Sequence, residues 1–222
     1  MKSNDFPHTE RSRLRRLPDR GSHGRDDIYA ILDAGLVCQV GHVFEGRPLV
    51  IPMGYGRLGD RLFLHGGSTS RLLKSLATGT EVCITVTMVD GIVLARSNFH
   101  SSLNYRSVVV FGRTRVLERE DERREALAAI VHQLVPGRAE ETRESTTKEL
   151  GVTHVIEVTI DEATAKVRTG PPIDPAEDCD DPVWAGVIPL HVTPGTPIPA
   201  PDLDPRNKPS SVVTGWRRGS GE

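Results

Sequence analysis

Several large classes of protein are made improbable by what this chain lacks. Cysteine is scarce, with three in 222 residues. Cys38, Cys83 and Cys179 are odd in number and widely spaced, which fits reduced thiols and not a disulfide framework. Cys38 and Cys83 fall inside apolar runs and read as small core residues. Neither sign of charge is in excess: 28 Lys and Arg face 30 Asp and Glu, for a net charge of -2. That balance argues against a general nucleic-acid or membrane-surface binder. No apolar run approaches the ~20 residues of a membrane span. Residues 1–20 are polar and Arg-rich without an apolar segment of the secretory kind, so a cytoplasmic protein is expected. The eight histidines show no paired spacing with Cys or carboxylates, and no metal centre is expected. Ser97, Ser101 and Ser107 lack a nucleophile-elbow setting, which argues against a hydrolase.

What is present reads as one domain with appendages. Residues 1–24 carry Pro7, Pro18, Gly21 and Gly24 among scattered charges, an arm expected to be disordered or to lie on a partner. A helix starts at Asp26 or Asp27 and stops at Gly35. Strands are expected over 36–44 and 47–55 around a Glu45-Gly46 turn, and Pro48 and Pro52 mark the second as an edge. Further strands follow over 61–64 and over 81–89, where Val82, Ile84, Val86 and Met88 alternate with Cys83, Thr85 and Thr87. Asp90-Gly91 signals a turn. The longest β-type run is 105–118, with a bend at Gly112. A helix over about 121–134 carries the stripe Ala126, Leu127, Ile130, Val131 and Leu134, and 138–150 has room for a short helix. A final strand covers 152–160, extendable to 165–167. These readings divide the chain into an arm (1–24), a barrel domain (25–170), an extended segment packing on it (171–193) and a flexible tail (194–222). Strands in hairpin order with few short helices point to a mainly β, α+β fold, a small antiparallel barrel and not a doubly wound sheet.

The stretch from Leu62 to Lys74, Leu-Phe-Leu-His-Gly-Gly-Ser-Thr-Ser-Arg-Leu-Leu-Lys, carries the most chemistry. Gly66 and Gly67 let backbone approach a ligand; Ser68, Thr69 and Ser70 supply hydroxyls; Arg71 and Lys74 supply charge about one helical turn apart. Such a turn suits a phosphate. Taken alone, it is equally an ordinary strand-to-helix connection with a serine cap. It has neither the glycine spacing of a doubly wound dinucleotide fold nor the Lys-Ser or Lys-Thr pair of a triphosphate loop.

Several segments in order then carry a resemblance. They are Ile51-Pro52-Met53-Gly54-Tyr55, Leu62-Phe63-Leu64-His65-Gly66, Asp90-Gly91, the run Ser102 to Gly112, Lys166 to Pro172, and Trp184-Ala185-Gly186-Val187. Over roughly residues 12 to 190 the chain resembles the pyridoxamine 5'-phosphate oxidase-like flavoproteins, in the branch of the nitroimidazole-resistance proteins. The resemblance implies a split β-barrel that binds flavin mononucleotide (FMN) at a homodimer interface. Ser68, Ser70, Arg71 and Lys74 would then hold the phosphate. The ring would lie along Met53, Gly54 and Tyr55 and beside Leu64, His65 and Gly66, with Asn104, Tyr105, Arg106 and Ser107 near it from the same or the second subunit. Trp184 would anchor the C-terminal segment or cover the ring.

The implied activity is hydride transfer through flavin N5 to or from a small organic substrate, as oxidase or reductase, with NADH or NADPH as a candidate electron donor. His65, Tyr105 and Arg106 are the candidate catalytic residues. Oxidation of pyridoxamine phosphate itself would need a second basic cluster for the substrate, and the sequence offers none beyond the first. Two other readings stand beside the enzyme: a non-catalytic flavin or haem carrier, with His65 or His100 as axial ligand, and a structural dimer without cofactor.

Overall fold

The computed structural model describes residues 4–217. In chain order its elements are β1 (Gly21–Ser22), α1 (Arg25–Ala34), β2 (Val37–Phe44), β3 (Arg47–Gly54), β4 (Gly56–Leu58), β5 (Arg61–Gly67), α2 (Arg71–Leu76), β6 (Glu81–Leu94), β7 (Ser102–Val116), α3 (Glu120–Leu134), α4 (Arg138–Glu141), α5 (Thr147–Gly151), β8 (Thr153–Arg168), β9 (Gly186–Pro189) and α6 (Ser211–Thr214). Alternation makes the strands. In β6, Val82, Ile84 and Val86 are buried while Glu81 and Thr87 face outward.

The strands form one open antiparallel sheet in the order β3-β2-β6-β7-β8-β5-β4, with β1 along β8 and β9 along β6. This is an α+β split barrel. Glu45 (φ 50°) and Gly46 (φ 74°) supply the two positive φ angles that a tight two-residue hairpin needs between β2 and β3. β3 lies at the sheet's edge, where Pro48 and Pro52 remove no ladder bond from an outer neighbour.

The main core joins Ile28, Ile31 and Leu32 of α1 to Val40, Ile84, Val86, Val108, Val110 and Ile156, with Leu73 and Leu76 of α2 closing one end. A second cluster, Phe63, Leu117, Ala126, Ala129, Ile130 and Val155, lies under α3. Gly56 allows that helix its approach, because a Cβ there would sit 2.6 Å from backbone atoms of Ala129 and Ile130.

Two expectations change and a third is extended. Asp90-Gly91 is not a turn: β6 continues through it to Leu94, with a bulge between Val89 and Gly91. The register shift absorbs the local irregularity, and Gly91 gives β9 room, since a Cβ there would meet Val187 at 2.9 Å. The final strand read over 152–160 does extend through 165–167, and without a break: β8 runs from Thr153 to Arg168, with a register shift opposite Phe111 and Gly112. The N-terminal arm lies on its own barrel. Phe6 is buried in the main core, its N–H donates to the His23 carbonyl at 2.9 Å, and the Arg25 guanidinium sits 4.2 Å over its ring.

In the C-terminal segment, β9 pairs with Gly91–Leu94 of β6. Trp216, given no role from sequence, donates from Nε1 to the Leu134 carbonyl at 2.8 Å and ties the segment after α6 to the end of α3. No described helix is long and apolar enough to cross a membrane.

Candidate functional site

The basic turn after β5 is built largely as its sequence suggested. Ser68 N–H donates to the Val152 carbonyl at 3.0 Å, which fixes the turn against β8. Ser70 is the N-cap of α2, its hydroxyl accepting from Leu73 N–H at 3.4 Å. Thr69, Arg71 and Lys74 line one groove of about 580 Å³ together with Phe44, Ser75 and Thr80. Arg71 lies 5.6 Å over the Phe44 ring. No carboxylate among the described residues pairs with Arg71 or Lys74, in contrast to most of the chain's arginines. Two cations without an ion-pair partner beside the hydroxyls of Thr69, Ser75, Thr78 and Thr80 suit a phosphate, and Glu45 is the one acid on the groove's wall. Ser68 and Ser70 are not among the residues that line it.

The second set of expected residues lies elsewhere. Arg106 is gripped by Asp90 through two bonds, Nε to Oδ2 at 2.9 Å and Nη2 to Oδ1 at 2.7 Å. That pair, foremost through its hydrogen bonds, holds the Arg106 pKa above its ordinary value. Both side chains line a cleft of about 390 Å³ with Gly35, Val37, Gln39 and Met88, and His191 stands on its C-terminal wall. The cleft exists because β2 and β6 are laddered only from Gln39–Gly41 to Thr85–Cys83, so the strands part beyond Gln39. Along β7, Arg106 is eight residues from Thr114, whose N–H reaches the Thr80 carbonyl beside the Arg71 groove. At about 3.3 Å per residue Arg106 and Thr114 are roughly 26 Å apart, whereas along β2 Gln39 of the cleft and Val43 of the groove are four residues, roughly 13 Å, apart.

Other expected contacts are spent on the fold. Tyr55 is wholly buried, its hydroxyl donating to the Leu32 carbonyl, and Leu64 is a core residue. Both are 0% exposed, so neither is left to meet a ligand in this chain. Asn104 is buried too: its Nδ2 donates to the Gly170 carbonyl at 3.1 Å, and its Oδ1 accepts from Arg168. Ser107 donates to the Lys166 carbonyl at 3.2 Å. Met53 is half-buried against the main core and Gly54 is exposed at the end of β3. His65 is exposed at the end of β5 beside half-buried Gly66. Tyr105 is half-buried on the sheet's outer face. Trp184 is 66% exposed and packs over Gly186, not over the cleft.

Sequence reasoning missed Asp90 and Phe44. Asp90 was read as a turn residue, and only the cross-strand Met88–Arg106 register brings it to the guanidinium. Two buried acids outside the cleft have structural explanations: Glu157 lies between Arg61 and Arg115 at 3.5 and 3.1 Å, and Asp174 pairs with Arg96 at 2.8 Å.

Comparison with known proteins agrees with this fold. The family profile for pyridoxamine 5'-phosphate oxidase matches residues 24–167. A flavocytochrome from Azotobacter vinelandii is 37% identical, covering 95% of this chain and 98% of its own, with a TM-score of 0.88. A FAD- and haem-binding protein from Mycobacterium smegmatis is 38% identical, covering 88% and 96%, with a TM-score of 0.84. A structure described as a 5-nitroimidazole antibiotic resistance protein from Bacteroides thetaiotaomicron is 26% identical, covering 66% and 86%, with a TM-score of 0.57. Comparison with curated proteins gives no match. With the split barrel and the matched profile in agreement, the chain belongs to the pyridoxamine 5'-phosphate oxidase family.

Proposed function

We propose that this protein is a flavin-dependent oxidoreductase that works as a homodimer and also carries haem. The observation that carries the reading is the near full-length likeness, at 37 and 38% identity, to a flavocytochrome and to a FAD- and haem-binding protein. The Arg71–Lys74 groove supports it as a phosphate site, since neither cation has a carboxylate at ion-pair distance among the described residues, although Glu45 also lines the groove. Bound flavin supplies hydride transfer at N5 to or from a small organic substrate, with NADH or NADPH as the electron donor. Arg106, held by Asp90, supplies fixed positive charge at the cleft, and Tyr105 presents a polar edge on the adjoining face. His65, exposed at the end of β5, and His100 are the imidazoles offered for a haem iron.

In the proposed dimer one flavin meets the Arg71 groove of one subunit and the Arg106 cleft of the other. The outer sheet face supports the same arrangement. Val43 and Val50 on it are 64% and 63% exposed, and Val89 and the cross-strand row Leu103, Ile92 and Ile188 continue the apolar surface.

Absorption of the purified protein tests the reading. Flavin bands together with a Soret band are expected; neither band would leave a structural dimer as the better account. Arg71→Gln should lower flavin content without removing haem. His65→Ala should lose or shift the Soret band if His65 ligates the iron, and His100→Ala is the matching control.

A further inference from the structure

The cleft that holds Arg106 is floored by the open edge of a strand. β2 leaves β6 after the Gln39–Thr85 pair, and β9 joins it only where Leu190 N–H donates to the Asp90 carbonyl at 3.0 Å. Between those points Val86, Thr87, Met88 and Val89 line the cleft. That edge has no strand beside it among the described residues, so alternate N–H and C=O groups face the cleft in the plane of the sheet. Such a row suits the polar edge of a flat molecule. Val37, Leu190 and Val192 add apolar wall, and a volume of about 390 Å³ suits a compound of one or two rings.

The charges in the cleft offset one another. Both carboxylate oxygens of Asp90 are used on Arg106, from Nε at 2.9 Å and from Nη2 at 2.7 Å, and His191 is the one other titratable side chain on the wall. With side chains only 21% and 29% exposed, Arg106 and Asp90 are poorly screened by water. An anion brought to Arg106 therefore meets Asp90 beside it, and repulsion offsets the attraction. A neutral carbonyl oxygen escapes that penalty. It can accept from Arg106 Nη1, which has no hydrogen-bond partner among the described residues.

We propose that the cleft takes a neutral, flat, carbonyl-bearing substrate of the quinone class, and that Asp90 sets this preference by offsetting the charge of Arg106. The inference rests on the flavin reading above and names the substrate of that site. In balance the quinone gains a hydride by way of the flavin and a proton from water, its two C=O groups becoming C–OH, while NADH or NADPH gives up the hydride and becomes NAD+ or NADP+. Arg106 donates to one quinone oxygen and stabilises the negative charge that gathers there as the hydride arrives. Asp90 acts through Arg106 and is a positioning residue.

Two ligands with the same ring system test this: menadione, which is neutral, and a naphthoquinone sulfonate, which is an anion. Their Kd values for oxidised holoprotein are measured by calorimetry, and kcat/KM with NADH and NADPH is measured beside them. Wild type should bind menadione at least about tenfold more tightly than the sulfonate. Asp90→Asn, which leaves the Arg106 charge alone, should cut that ratio at least about tenfold, and Arg106→Gln, which leaves the Asp90 charge alone, should raise it. A pair with only a structural role would move both ratios the same way or not at all. That result, or a wild type that binds the sulfonate as tightly as menadione, overturns the proposal. Holoprotein that NADH or NADPH reduces but that neither binds nor reduces menadione overturns the substrate class and leaves the flavin reading standing. Protein purified without flavin overturns both.

Discussion

His42 shows how one residue can set the acid limit of the fold. It points inward from β2, is 6% exposed, and neither ring nitrogen has a hydrogen-bond partner among the described residues. Burial lowers its pKa from the ordinary value of about 6.5. The unfolded chain therefore takes up this proton at higher pH than the folded one. The contribution is present above about pH 6.5 and is lost as pH falls from there through the lower folded value. The melting temperature should drop between pH 7.5 and 5.5, and His42→Leu should flatten that drop; an equal drop in both proteins would mean His42 is not its source. Thiol reactivity divides just as sharply. Burial pushes the Cys38 thiol up to about 12, while Cys179 is exposed. A thiol reagent should label Cys179 in the native protein and Cys38 only after unfolding. The inert Cys38 was legible in the apolar run around it. The spending of Tyr55 and Asn104 on internal hydrogen bonds was not, since their partners Leu32, Gly170 and Arg168 are remote in sequence.

Among the elements, α1, β2, β3, α2 and α3 form where periodicity and capping residues placed them, because their signals are local. Elements that depend on a neighbour were misread. Asp90-Gly91 has the composition of a turn, yet β7 on one side and β9 on the other hold it in a strand. Gly112 was read as a bend, yet β7 runs on through it and the extra residue of the bulge, Asp161, lies on β8; the need for glycine is tertiary, since a Cβ there would lie 1.9 Å from the Thr159 carbonyl oxygen. Gly112→Ala should destabilise the fold by about 1–3 kcal/mol, the usual cost of overpacking, measured by denaturant unfolding. The α1–β2 corner rests on another long-range contact. Gln133 of α3 directs Nε2 at the carbonyls of Leu32, Asp33 and Gly35, at 2.9, 3.1 and 2.8 Å. Gln133→Leu leaves carbonyls at the end of α1 without that donor and should cost about 1–3 kcal/mol. A cost near zero would show that the corner is held by packing alone.

At the scale of the whole molecule, the outer face of the sheet decides how the parts are used. The arm covers its β7–β8 side, with Arg11 4.6 Å over the Phe111 ring and Thr164 bonded to the Ser12 carbonyl at 2.5 Å. The β2–β3–β6 side stays apolar and open. Val43→Asp/Val50→Asp should shift the protein toward monomer in sedimentation and lower its flavin content together; a monomeric variant with full flavin occupancy would refute a shared site.

By itself the sequence determined the strand and helix periods, the edge prolines and the basic hydroxyl-rich turn, all of which act over a few residues. Its ordered motifs also carried the family. Only the tertiary structure decided that the Arg71 groove and the Arg106 cleft stand at opposite ends of the same strands and that Asp90 holds Arg106. These are consequences of register and of where β2 parts from β6. Pairing across the sheet brings together residues far apart along the chain, and no local pattern records which residue faces which.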